Sequence, residues 1–435
     1  MDENGWSLAR RLQSWPPPSL SRAISDAGSS DTSPTFVARQ PIYDRRLDVF
    51  GYEMLFRAAD VETAEFTDDN AATASTIVTT IADIGLESLV GNRICFVNVT
   101  REFILNEFAT LLPADRVALE LGRTDAHDLD VRAKLAELRE KGYQIVLDDF
   151  VLRDDSEPLL EVADMVKLDA LSFSDQQLSD QAYELSSRGI RLVAERIENH
   201  EAFDRCKEAG FELFQGYFFC QPKTVTGKGV PAGRLAQVEL VAALQNPDVE
   251  LEELDAVISR DLGVSYRLLR FINSAYFSLP RRVDSVHDAI VLLGSRNVRS
   301  WAMLLTLAEI DDQPSELVRV AMVRAKMAER IAGALGTVDP EAAFTVGLFS
   351  VLDALMSMRM EDVLSELPLS NDVSRALLTG DGLLGELLTW VLTYERGRFE
   401  SLAGGSPAAD VILRDAYLEA VRWADDACAA TTSES

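Results

Sequence analysis

From Phe36 to Pro222, short apolar, β-branched runs return at regular intervals: FVARQPI, DVFGYEMLF, RICFVNV, RVALEL, QIVLDDF, DMVKLD, RLVAERI and ELFQGYFF. Each has the length and composition of a strand. The first two lie close enough for a hairpin around residues 43–46, and the later ones are separated by stretches long enough for a helix. Residues 128–142 carry apolar Leu129, Val131, Leu135 and Leu138 and end on a glycine that can stop a helix; residues 174–189 form a second such stretch. Alternating strands and helices imply a parallel sheet. Eight strands in this span predict a compact (β/α)-type barrel, with one strand made antiparallel by the opening hairpin.

Past residue 222 the texture changes. Residues 223–234, KTVTGKGVPAGR, read as a linker. Strand-like runs then give way to helical spacing, as in Leu251, Leu254, Val257 and Ile258 or Val318, Met322 and Ala325. Gly263, Gly294, Gly336 and the Gly380-Asp381-Gly382 turn interrupt these helices. The pattern predicts an all-α second domain over 235–430. Residues 1–34, with Trp15-Pro16-Pro17-Pro18 before a Ser/Asp/Gly/Thr-rich stretch, and residues 431–435 read as tails.

Composition narrows the function. A chain of 435 residues that is 47% hydrophobic can bury two or three cores. Its 71 acidic and 42 basic side chains leave a net charge of −29, which disfavours charge-driven binding to nucleic acid or to an anionic membrane. No run approaches the ~18 apolar residues of a membrane span, and the N-terminus lacks an apolar signal core. Four scattered cysteines without CxxC spacing fit a reducing cytoplasm. Three histidines are too few for a mechanism built on clustered imidazoles.

The predicted strands end in polar residues: Glu53, Asn98, Glu120, Asp148-Asp149, Lys167, Glu195 and Gln215. In a barrel the carboxyl ends of the strands converge on one rim, where active sites are built. Crowded carboxylates raise each other's pKa, and a hard divalent cation relieves that conflict. Oxygen-only donors select Mg2+, Mn2+ or Ca2+, and this many could hold two ions ~3.5–4 Å apart, as in phosphodiester hydrolysis. Read singly, a strand-end Glu is a solvated rim residue, Asp148-Asp149 a helix N-cap pair, and Lys167-Leu168-Asp169 a surface salt bridge. Recurrence from strand to strand is what these readings leave unexplained.

The same residues resemble the EAL domain, the family of cyclic di-GMP phosphodiesterases and their non-catalytic relatives. Its naming motif stands as Glu53-Met54-Leu55-Phe56-Arg57, after ARQPIYD with Gln40; FVNVT, LEL, LDDF, VKLD, AERIE and FQGYFF follow in order. The resemblance covers residues 35–222 and implies a modified TIM barrel. It implies metal ligation by Glu53, Asn98, Glu120, Asp148 and Asp149, with Lys167 and Glu195 catalytic. Gln40, Arg57, Asp169, Glu198 and Gln215 would contact the dinucleotide. Mg2+ or Mn2+ would be the cofactor, with Ca2+ as a non-catalytic ion. Two departures bear on activity. A Gly-Thr-Gly-Tyr-Ser-Ser loop is usual after the Asp pair, where this chain has Val151-Leu152-Arg153-Asp154-Asp155-Ser156. Arg123 replaces the family's second Glu, a charge reversal. Altered support of this kind reduces metal affinity or activity ~10–100-fold.

Leu244-Gln245-Asn246-Pro247-Asp248, the segment from Ser265 to Ala275 and that from Ser285 to Gly294 resemble the HDOD domain, a helical relative of HD phosphohydrolases. His287-Asp288 invites a metal reading, but further histidines are lacking in this half, and Ser285 or Asp288 fits a helix cap. The whole therefore reads as a modified (β/α)8 barrel followed by a helical HDOD domain. The resemblance implies a cytoplasmic protein that binds cyclic di-GMP with weak or no hydrolysis and relays that state to a protein partner. The alternative is an active phosphodiesterase yielding linear pGpG. The oligomeric state stays open, a homodimer included.

Overall fold

The computed structural model describes residues 35–58, 84–122, 128–152, 157–220, 250–273, 283–307, 315–365, 369–402 and 407–432, with isolated positions between some of these. The predicted tail 1–34, the linker 223–234, Arg123 and loop residues 153–156 lie outside the described residues, as do 433–435. Thr431 and Thr432, assigned to the C-terminal tail, instead end the helix Pro407–Thr432. The chain forms two compact units. One runs up to Phe219 and includes Thr393–Arg414; the other comprises Cys220–Leu392 and the residues from Asp415. Thr393–Arg414 falls inside the stretch expected to be purely the helical domain.

All eight expected strands form: β1 (Thr35–Asp44), β2 (Val49–Ala58), β3 (Ile94–Asn98), β4 (Val117–Gly122), β5 (Gln144–Asp148), β6 (Met165–Asp169), β7 (Arg191–Glu195) and β8 (Leu213–Gln215). They close into a barrel in chain order. β1 is antiparallel to both β2 and β8, and the other neighbours are parallel. The hairpin turn is held by the Asp44 carboxylate, which accepts the N–H groups of Arg46 and Asp48 at 2.8 and 3.0 Å.

Alternate side chains of a strand face opposite sides, so residues two apart stack in layers inside a barrel. One layer is apolar: Ile42, Phe96, Ala118, Val146, Met165, Val193 and Leu213 form a buried cluster. Gly51 completes the ring at β2, where a Cβ would come within 2.7 Å of the Phe96 ring. Moving two residues toward the carboxyl ends of β2–β8, and two back along antiparallel β1, gives Glu53, Asn98, Glu120, Asp148, Lys167, Glu195, Gln215 and Gln40. The candidate site is thus the next interior layer of the barrel.

Outside the barrel, α1 (Leu129–Glu140) starts at Asp128, whose carboxylate accepts the Asp130 and Val131 N–H groups. Val131, Leu135 and Leu138, at i, i+4 and i+7, are buried, whereas Leu129 lies roughly 200° from Val131 around the helix and is 71% exposed. α2 (Asp175–Ser187) begins with a capping box of Ser174 and Gln177.

β1 and β2 project past the closure. β1 pairs with β2 from Thr35 to Tyr43 but with β8 only from Ile42 to Asp44, so the far edge of its first half has no strand partner among the described residues. Tyr394 caps that edge. Its hydroxyl donates to the Val37 carbonyl at 3.1 Å and accepts the Val37 N–H at 3.4 Å. Phe36 stacks on Phe399 with ring centroids 5.2 Å apart and meets Tyr394 edge-on. Phe36 and Val37 are buried as a result.

The described part of the second unit is helical, including α3 (Leu251–Ser259), α4 (Leu262–Ile272), α5 (Val286–Leu293), α6 (Ser295–Leu307), α7 (Ser315–Leu335) and α8 (Pro340–Phe349). Ser285 caps α5 by accepting the Asp288 N–H at 3.0 Å, and His287 is exposed, 3.8 Å from Asp255. Val346, Val373, Ala376 and Leu388 form a core cluster. Among the described residues no helix is long and apolar enough to cross a membrane.

Tyr394→Phe leaves both polar groups of Val37 without that partner. The variant should lose about 1–3 kcal/mol, read as a lower midpoint in urea at unchanged slope.

Candidate metal centre in the barrel mouth

Each strand delivers one member of the polar layer, and the hydrogen bonds within it cross the barrel. Lys167 is fully buried at the centre. Its Nζ lies 2.8 Å from Glu53 Oε2, 2.6 Å from Glu120 Oε1 and 3.3 Å from Glu195 Oε1. It therefore makes no surface pair with Asp169. Asn98 Nδ2 donates to Glu53 Oε1 at 2.7 Å, leaving the Asn98 carbonyl oxygen as an acceptor. Gln215 Nε2 donates to Glu53 Oε2 at 2.6 Å and to Gln40 Oε1 at 3.0 Å. Gln215 is held by a close backbone approach: at Gly216 (φ +155°) a Cβ would collide with the Ile197 carbonyl.

Two sets of carboxylates can each bring three oxygens within 4.8 Å of one another: Glu53, Glu120 and Glu195, and Asp148, Asp149 and Glu195. Glu120 Oε2, Asp148 Oδ1 and Gln215 Oε1 are buried without a hydrogen-bond partner. A buried acceptor left unsatisfied is costly. Four carboxylates around one ammonium and a fifth, Asp149, at the rim, with orphaned oxygens among them, suit a hard divalent cation. Asp148-Asp149 is no helix cap. Asp148 ends β5, and Asp149, 70% exposed, has a left-handed backbone (φ 47°).

The remaining expected residues are placed less uniformly. Asp169 sits one step above Lys167; its carboxylate accepts the Leu171 N–H at 2.9 Å and the Ser172 hydroxyl at 3.0 Å. Glu198 is exposed and, among the described residues, makes no hydrogen bond or ion pair with the cluster. Arg57 lies on β2 opposite Phe36, and its side chain is outside the described residues.

Profiles of the EAL domain and of the HDOD domain match residues 97–222 and 232–374. The chain is a tandem EAL–HDOD protein. It is 29% identical over 422 residues to cyclic di-GMP phosphodiesterase CdgJ of Vibrio cholerae serotype O1, covering 95% of this chain and 96% of that one. Protein YuxH of Bacillus subtilis (strain 168) is 28% identical over 398 residues, 89% of this chain and 97% of the relative. Among solved structures, Klebsiella pneumoniae BlrP1 in its calcium and cyclic di-GMP complex aligns at 21% identity and a TM-score of 0.37, over 42% of this chain and 54% of that one.

The electrostatics of the EAL barrel's polar layer follow from burial. Burial pushes the Glu53 carboxyl up, but the Lys167 charge and the hydrogen bonds from Gln215, Lys167 and Asn98 outweigh it, holding Glu53 below its ordinary range. Glu120 is raised well above it by burial and by the neighbouring Glu53 charge. Burial also raises Asp148, against the pull of Lys167. Glu195 is pushed up to about 7 by burial, which the Lys167 charge only partly offsets. For Lys167, burial works against the charge, but Glu53, Glu120, Glu195 and Asp148 overcome it and keep the ammonium protonated.

One residue was missed in the sequence. Arg196, directly after Glu195, has a left-handed backbone (φ 55°). Its Nη1 lies 3.0 Å from Asp169 Oδ2 and its Nη2 3.9 Å from Asp149 Oδ1. The signal was an arginine between two glutamates at a strand end, where the turn geometry favours glycine.

These shifts predict a pH dependence in chelator. Between pH 5 and about 7 the native Glu195 retains a proton that the unfolded chain has released, and raised Glu120 and Asp148 act in the same direction. Stability therefore falls as pH rises through about 7. Glu53, being lowered, acts only below its ordinary range and leaves this window unaffected. Denaturation midpoints with EDTA should decline from pH 5 to 8, and Glu195→Gln should flatten the slope.

Proposed function

We propose that this EAL–HDOD protein is a cytoplasmic cyclic di-GMP receptor that binds the dinucleotide with divalent cations at the barrel mouth and hydrolyses it slowly, its helical unit relaying occupancy to a protein partner. The observation that carries this reading is the polar layer: four carboxylates around Lys167, with Glu120 Oε2 and Asp148 Oδ1 unpartnered. Glu53, Asn98, Glu120, Asp148 and Asp149 would hold Mg2+ or Mn2+, with Ca2+ as a non-catalytic substitute. Ions bound there supply Lewis-acid polarisation of a phosphate ester. Gln40, Arg57, Asp169 and Gln215 would orient the dinucleotide, and exposed Glu198 would extend that contact outward.

The chain's own groups have defined tasks in this reading. Lys167 remains cationic and holds the carboxylates in place. Glu195, its carboxylate 3.3 Å from Lys167 Nζ, would take a proton from an attacking water. Slow hydrolysis rests on Arg123 and on the missing glycines after Asp149, which normally support the ligands. A second reading, an efficient phosphodiesterase releasing linear pGpG, is favoured by the completeness of the donor set and by the activity in the name of the Vibrio relative. The relay reading is supported by the net charge of −29, which disfavours nucleic acid as the target.

Calorimetric titration with cyclic di-GMP in Mg2+, Mn2+ or Ca2+, followed by chromatography for pGpG, tests the reading. Ion-dependent binding with slow conversion is expected. Rapid sustained conversion favours the second reading, and no binding with any ion overturns both. Arg57→Ala should weaken binding by about 1.5–3 kcal/mol, the scale of hydrogen bonds to charged groups. Asp148→Asn should abolish the rise in melting temperature given by Mn2+. Addition of dinucleotide should change hydrogen exchange in α3–α8 if occupancy is relayed.

A further inference from the structure

Three carboxylates, those of Asp148, Asp149 and Glu195, form the outer of the two oxygen clusters. A cation of the chain's own already stands beside it. The Arg196 guanidinium joins Asp169 on β6 at 3.0 Å and reaches within 3.9 Å of Asp149 just past β5. Its side chain comes from the residue that follows Glu195, itself a member of the cluster. The backbone there is left-handed at φ 55°, a conformation costly for any residue with a Cβ. Strain of this kind persists where the surroundings hold it and clusters at functional sites. The partner segment shows the same feature, with Asp149 at φ 47°. Two strained strand ends thus face each other across one Arg–Asp contact.

We propose that Arg196 is a built-in cation that takes the place of a second metal ion, so that the barrel mouth holds one divalent ion tightly, at the unpartnered oxygens of Glu120 and Asp148 and not among the Glu53, Glu120 and Glu195 oxygens that Lys167 already occupies. An arginine is always protonated, so this positive charge is permanent. It repels a divalent ion approaching Asp149 and draws the Asp149 oxygen toward β6. The contact is exposed, with Arg196 62% and Asp149 70% accessible, so it weakens the second site at Asp149 and does not abolish it. This rests on the metal reading above and specifies its stoichiometry. It also supplies a reason for slow hydrolysis that is independent of the loop after Asp149, since two ions serve to stabilise both the attacking and the leaving oxygen.

The test is Mn2+ binding to the full-length protein without nucleotide, by calorimetry for stoichiometry and by electron paramagnetic resonance for coupled ion pairs. Wild type should bind one ion tightly and show an uncoupled spectrum. Arg196→Gly, suited to the left-handed backbone, and Arg196→Gln, which removes only the charge, should each tighten a second site at least tenfold and give a spin-coupled pair. Arg196→Lys should stay with one ion. Two equally tight ions in wild type, or one ion in all variants, would overturn the role of Arg196 and leave the metal site standing. No Mn2+ binding by wild type would overturn the metal site and this inference with it.

Discussion

Lys167 is the charge on which the barrel mouth depends. It is the one cation in an interior layer that also holds Glu53, Glu120, Asp148 and Glu195, and its ammonium touches three of those carboxylates directly. Removing one member of a buried ion pair leaves an uncompensated charge and typically costs about 3–5 kcal/mol, far more than an exposed pair contributes. Yet a single ammonium cannot neutralise four carboxylates, two of them buried and two half-buried. The surplus appears as raised carboxyl pKa values at Glu120, Asp148 and Glu195 and as oxygens without partners. The layer is therefore folded but electrostatically incomplete, the expected condition of a site built to receive cations.

The barrel was legible because each strand repeats one rule. An apolar inward residue is followed two positions later by a polar one, as in Phe96 and Asn98, Ala118 and Glu120, or Val193 and Glu195. Period two fixes which side chains share a layer, so seven of its residues could be read from the strand ends, whereas Gln40, on antiparallel β1, came only from the family resemblance. Glu198 shows the limit of that reading. It lies three residues beyond Glu195, past the strand end, where alternation no longer governs direction, and it stands apart from the layer. Arg196 was hidden for the complementary reason: its role comes from a left-handed turn, which sequence periodicity does not report.

The helical half was legible as a class, since its apolar positions recur at helical spacing and its described elements are helices. What spacing could not reveal was the allegiance of Thr393–Arg414. Tyr394 and Phe399 look like ordinary helical-core residues, and only the unpaired edge of β1, a consequence of barrel closure at β8, gives them another destination.

That allegiance has a consequence for synthesis. Domains usually fold as units while the chain emerges from the ribosome, amino-terminal part first. Here the eight strands are complete once Gln215 has emerged, but the edge of β1 must wait for Tyr394, more than 170 residues later in the chain. During that interval Phe36 and Val37 lack their final cover, and an open strand edge invites pairing with other chains. A nascent barrel of this kind is the stage at which chaperone protection matters most, and cutting the gene at the apparent domain boundary would make that vulnerable intermediate permanent.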